Sequence, residues 1–188
     1  MRTPSAVFLS ALLLGCAVAG QEPAALVTFY SAGCHPCGKE LAVTIGAGSA
    51  TVPYRGGVYD GAVQLVKTMT PNRFITFRMK AGPHSFAGEN PNGFKKKRSE
   101  GRDLQLNLQP GQHYFIALSM KDKGVYVVRH FTPILMQKEC AEAFTEGAQT
   151  EPLRPKGIEK GHMVEIVPTP YFPVCDASAS PTLGKDLP

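Results

Sequence analysis

The chain reads as mainly β: a small antiparallel β-sandwich with one short helix near residues 133–145, preceded by a signal sequence. Three observations predict this. Turn signals recur at short intervals along most of the length, and the segments between them are rich in β-branched and aromatic residues. Leu104-Gln105-Leu106-Asn107-Leu108 alternates strictly, so its leucines share one face and its polar residues the other. A strand of that kind has one face against a core and one in water, as in an antiparallel sandwich or barrel.

At the N-terminus a positive charge at Arg2 is followed by an apolar run over residues 6–14 and then by small residues, the layout of a secretory signal. The run is too short to span a bilayer as a helix. Leu13-Leu14-Gly15-Cys16 resembles a bacterial lipobox, in which residues 1–15 are removed and the lipidated Cys16 anchors the chain to a membrane. Ala17-Val18-Ala19 offers an ordinary cleavage site, which would remove residues 1–19 and leave a soluble periplasmic or secreted protein. Either way the expected location is the bacterial cell envelope or beyond. What remains suits one domain over residues 24–175, with 176–188 as a disordered tail and the proline- and charge-rich stretch 147–161 adding little to the core.

The 20 basic and 15 acidic residues become 19 against 15 once Arg2 is removed, an excess too small to argue for nucleic acid, which an exported protein would seldom meet, so no nucleic-acid partner is expected. Lys95-Lys96-Lys97-Arg98 is the one basic cluster. Set between Asn90-Pro91-Asn92-Gly93 and Ser99-Glu100-Gly101, it reads as a solvated hairpin tip, with an anion-binding patch as the alternative.

Expected strands cover 26–30, 58–66, 73–80, 84–87, 104–108, 113–120, 125–132 and 162–167. Turns are spelled by Tyr59-Asp60-Gly61, Ala81-Gly82-Pro83, Gln109-Pro110-Gly111 and Lys121-Asp122-Lys123-Gly124, each with Gly where positive φ is cheap or Pro where φ is preset. Good helix formers from Pro133 to Phe144 predict the single helix.

Several of these stretches together resemble the DUF2846 family, domains of unknown function in bacterial envelope proteins and lipoproteins. The resemblance runs from Val58 to about Glu159. It is carried by Val58-Tyr59-Asp60-Gly61 with Leu65, by Asn72-Arg73-Phe74-Ile75-Thr76-Phe77, by Ala81-Gly82-Pro83-His84-Ser85-Phe86, and by the run from Leu104 through Gln109-Pro110-Gly111 to Ile116. These are turn-and-strand motifs, so the resemblance implies a small β-sandwich and carries over no catalytic residues; it speaks to fold and not to activity.

The segment Val27 to Leu41 is a near match to the redox turn of thioredoxin-like proteins, a strand followed by Cys34-His35-Pro36-Cys37. In such a turn the first cysteine sits at a helix N-terminus, where the dipole favours the thiolate. The residues that follow, Val43 to Ala50, are glycine-punctuated and poor helix formers, and no clean crossover helix appears, so a structural pair is the expectation and an oxidoreductase with Cys34 as nucleophile the alternative. Cys34, His35 and Cys37 also have the close spacing of zinc ligands, and Cys140 and Cys175 could complete a set of four. An oxidising envelope favours disulfides instead. Setting Cys16 aside leaves four cysteines and three possible pairings; Cys34 with Cys37 and Cys140 with Cys175 is preferred, because the second bond would tie the helix to the terminal segment, with crossed pairings left open.

The five histidines, His35, His84, His113, His130 and His162, are scattered and read as local hydrogen-bonding residues, with convergence of two on a metal as the alternative. No G-x-S-x-G, H-E-x-x-H or phosphate-binding glycine loop is present. The expected function is therefore a non-catalytic envelope domain, without cofactor or metal, presenting its surface to a protein or polysaccharide partner. A thiol-disulfide oxidoreductase and a structural zinc domain are the alternatives.

Overall fold

The computed structural model describes residues 23–33, 51–89, 103–122, 131–154 and 164–175. The expected signal sequence with Cys16, the pair Cys34 and Cys37, the Lys95–Arg98 cluster, most of the expected strand 125–132 and the tail lie outside the described residues.

The first strand, β1 (Ala24–Ser31), is almost uninterruptedly apolar because it is buried on both faces: Val27, Phe29 and Tyr30 are fully enclosed, and so is Thr28. After the short β2 (Thr51–Pro53) come β3 (Gly56–Asp60), β4 (Val63–Met69), β5 (Arg73–Lys80), β6 (Gly82–Gly88), β7 (Leu104–Leu108), β8 (His113–Asp122) and β9 (Phe131–Lys138). The chain then forms α1 (Cys140–Gly147), β10 (Glu151–Pro152) and β11 (Val164–Val167). The strands make two sheets, as the alternation and turn spacing predict. In the smaller the order is β4-β3-β6-β7, all antiparallel.

The larger sheet is built around β1. One edge of β1 pairs antiparallel with β5, from Ala24 opposite Lys80 to Ser31 opposite Arg73; the other pairs parallel with β8. A strand has two edges: β2, opposite Ser119 to Lys121, continues beyond β1 along the same edge of β8, while β9 takes the opposite edge. The far edge of β5 is shared by β10, parallel at Arg73 and Phe74, and β11, antiparallel from Thr76 to Met79. The two parallel pairings depart from the purely antiparallel expectation.

Between the sheets lies the main core. Val27, Phe29, Phe77, Ile116 and Leu118 of the larger sheet meet Val58, Leu65, Phe86 and Leu108 of the smaller. Phe29 sits edge-on to Phe86 at 5.2 Å and to Phe77 at 6.1 Å, so it joins the two layers. The β7 leucines all face this core, Leu108 fully, while Gln105 and Asn107 are exposed, as the alternation predicts. Gly88 has no room for a side chain, since a Cβ would lie 2.6 Å from Pro133 of β9.

Three sequence expectations are corrected. The strand expected over 58–66 is two strands of a hairpin, because Gly61 adopts φ 53° and turns the chain after Asp60. The helix expected over 133–145 is strand up to Lys138 and helix only from Cys140; Pro133 fits because β9 is an edge strand, where a missing donor costs little. The stretch after residue 147 is also more integrated than its composition suggests: Thr150 is buried, β10 joins the sheet and Leu153 packs on the core.

Phe29→Ala should lower the free energy of unfolding by about 3 to 5 kcal/mol, read as a shift in denaturant midpoint. A loss under about 1 kcal/mol would mean that the two layers do not close on this ring.

Candidate functional site

The outer face of the larger sheet is covered by α1 and the chain from Pro168 to Cys175. Phe172 from that segment packs on Tyr30, Phe74 and Phe115, with ring centroids 5.3, 5.5 and 5.9 Å away. A side chain at Gly147 would collide with the Phe172 ring, so the helix ends on a glycine where the clasp closes. The clasp is fastened by a disulfide between Cys140, at the start of α1, and Cys175, with Cα atoms 5.7 Å apart. This is the preferred second pairing of the sequence reading. As a disulfide, Cys140 and Cys175 offer no thiolates to a metal, and among the described residues no group of three potential ligands converges.

Beside the clasp is an open cleft of about 450 Å³. It forms where β10 and β11 part along β5: β10 leaves the edge after Phe74, β11 arrives at Thr76, and Ile75 lies between. Phe74 and Thr76 form its floor, Pro152, Leu153 and Arg154 one wall, and Val167, Pro168 and Pro170 the other. The Leu153 N–H donates to the Phe74 carbonyl at 2.7 Å, which fixes the first wall to the sheet. Phe74 touches both cleft and clasp, so the disulfide indirectly holds the second wall.

Away from the cleft, Gln112 Oε1 and Ser119 Oγ are buried without a hydrogen-bond partner among the described residues, whereas the polar groups of the smaller sheet are engaged with one another. His84 of β6 lies 2.6 Å from Asp60 through Nδ1 and 2.8 Å from the Lys80 carbonyl through Nε2, which leaves no ring nitrogen to act as a base. Ser85 is adjacent, but its hydroxyl donates to Asp103 at 3.0 Å and accepts from Gln105; the Ser-His-Asp composition is thus not wired as a nucleophilic triad. Thr28, Thr76 and His113 form a second network on the outer face, with Thr28 Oγ1 2.8 Å from each of its partners. The two described histidines lie on different sheets and do not converge; His35, His130 and His162 are outside the described residues.

Tyr30 crosses from β1 to α1, donating to Glu146 at 2.7 Å, and Lys138 bridges Glu142 and Glu146. The Lys138 pKa is raised, first by its hydrogen bond to Glu142. Burial, then Glu146, pushes the Tyr30 phenol far above its ordinary value of 10.0. Burial does the same to Tyr54, whose hydroxyl donates to the Gly57 carbonyl and accepts from the Glu89 N–H at 2.9 Å.

No protein-family model, curated protein or solved structure matches the chain. Sequence reasoning missed the cleft residues. The available signal was the recurrence of proline at 152, 168, 170 and 173 around two short strands, which keeps the pairing of each segment with the sheet short.

Two predictions follow from the clasp and the tyrosines. Replacing both Cys140 and Cys175 by Ser should cost about 2 to 4 kcal/mol for a loop of 35 residues, measured by denaturant unfolding, and should broaden Phe172 ring resonances. Because the folded state holds Tyr30 and Tyr54 protonated, the stability they contribute is complete below pH 10.0 and is lost as pH rises beyond it. Alkaline titration of the unfolding midpoint should therefore fall above that pH, and less steeply in Tyr30→Phe.

Proposed function

We propose that the protein is a non-catalytic domain of the bacterial cell envelope, held at a membrane by a lipid on Cys16, that engages an apolar group of a partner in the cleft beside β5. One contrast carries this reading: His84 with Asp60 and Ser85 with Asp103, the neighbouring groups whose composition could suggest catalysis, are closed on one another, whereas the open concavity is lined mostly by Phe, Ile, Leu, Val and Pro. Its chemistry suits an apolar group better than a polysaccharide, which needs an array of polar partners. The resemblance to DUF2846 and the lipobox-like Leu13-Leu14-Gly15-Cys16 agree with such a role.

The second reading is a thiol-disulfide oxidoreductase with Cys34 as nucleophile and Cys37 as resolving thiol. The observation in its favour is that only Ala32 and Gly33 separate Cys34 from the end of β1, a central strand parallel to β8. A zinc domain built on four cysteines loses two of its thiolates to the Cys140–Cys175 bond.

In cells, Cys16→Ser should leave export intact and move the protein from the membrane to the soluble fraction; unchanged fractionation would end the lipid-anchor reading. In vitro, the purified wild type should exchange a model disulfide no faster than free thiol does. Catalytic exchange lost in Cys34→Ser, with a mixed disulfide trapped in Cys37→Ser, would replace the binding domain by the oxidoreductase.

A further inference from the structure

The charges around the cleft are unevenly balanced. On β5, Arg73 pairs with Glu151 of β10, and Arg78 lies 3.3 Å from Glu165 of β11, so the two arginines that flank the cleft along the sheet are each matched by a carboxylate. Arg154 lines the cleft itself and is the one charged residue among its lining residues. It has no ion-pair partner among the described residues. Its backbone follows directly on Leu153, whose N–H is bonded to β5, so the exposed Arg154 side chain starts from a fixed point on the rim of an apolar hollow.

The walls also restrict what can enter. Pro152, Pro168 and Pro170 carry no N–H, so they cannot offer the ladder of donors that an added peptide strand requires. The floor hydroxyl of Thr76 is already bonded to Thr28, which removes a partner for a sugar. A volume of about 450 Å³ falls within the range of small-molecule sites.

We propose that this cleft binds a single-tailed amphiphile with a carboxylate head, the apolar tail lying between Pro152 and Leu153 on one wall and Val167, Pro168 and Pro170 on the other, and the carboxylate meeting Arg154. The planar guanidinium fits a carboxylate bidentately, which sets an acyl carboxylate apart from a neutral or cationic head on the same tail. The inference rests on the cleft being the binding surface of the domain and adds the class of ligand.

The test is calorimetric titration of the full chain with dodecanoate, dodecanol and dodecyltrimethylammonium, each below its micellar concentration. Dodecanoate should bind saturably at one site and about tenfold more tightly than dodecanol, with the cationic probe weakest. Arg154→Gln should remove the preference for dodecanoate and leave dodecanol unchanged, and Arg154→Lys should restore part of it. Thr169→Trp, which adds bulk to the second wall, should abolish binding of all three while the circular dichroism melt still shows a folded domain. Equal affinity for the three heads would overturn the carboxylate assignment and leave the cleft as an apolar binding site. Failure of every tail to bind the wild type would overturn both this inference and the reading of the cleft on which it rests.

Discussion

The burial of β1 on both faces is the constraint on which the other parts depend. A strand with Val27 and Phe29 on one side and Thr28 and Tyr30 on the other must be covered twice, and the molecule supplies two unlike covers. The inner one is the smaller sheet, an apolar layer keyed by aromatic rings. The outer one is assembled from a short helix and an irregular segment, and buries polar atoms that have to find partners there. Thr28 finds Thr76 and His113, and Tyr30 finds Glu146. Leaving either pair unmade would strand a buried polar group at a cost of about 1 to 3 kcal/mol, so the outer cover is specified by hydrogen bonds where the inner one is specified by shape.

The outer cover alone would be weak. An eight-residue helix with no side-chain cap at Glu139 has little intrinsic stability, and the chain beyond Pro168 makes no regular structure among the described residues. The disulfide and the Phe172 ring compensate by joining the start of one to the end of the other across the aromatic face of the sheet. The same segment forms a wall of the cleft, so the element that completes the core also shapes the surface with a recognisable binding character.

How much of this was legible follows from how local each signal is. The β7 alternation, the Gly-Pro and Pro-Gly turns and the strand 73–80 are written in neighbouring residues, because period and turn chemistry act over a few positions. Pro133 to Phe144 misled because its helix formers do obey helix propensity in isolation; pairing with β8 overrides it as far as Lys138. The parallel partnership of β1 with β8 left no trace, since register between segments some eighty residues apart is a property of the whole sheet. The cleft was invisible for a similar reason: its walls come from two stretches that become neighbours only by sharing one edge of β5. Arg154 looks like any other basic residue until the glutamates beside its neighbours are seen to be taken.

The placement of β1 also bears on how the chain is made. It is synthesised before every strand that covers or pairs with it: β5 closes one edge, β8 the other, and Phe172 arrives near the end of the described chain. Until β8 has been added, an almost wholly apolar strand has an open edge, the form of backbone most prone to pairing with another molecule. A chain built in this order cannot fold piece by piece from its N-terminus; it gains from being kept extended or chaperoned until its last third is available, and the bond between Cys140 and Cys175 can close only after that wait is over.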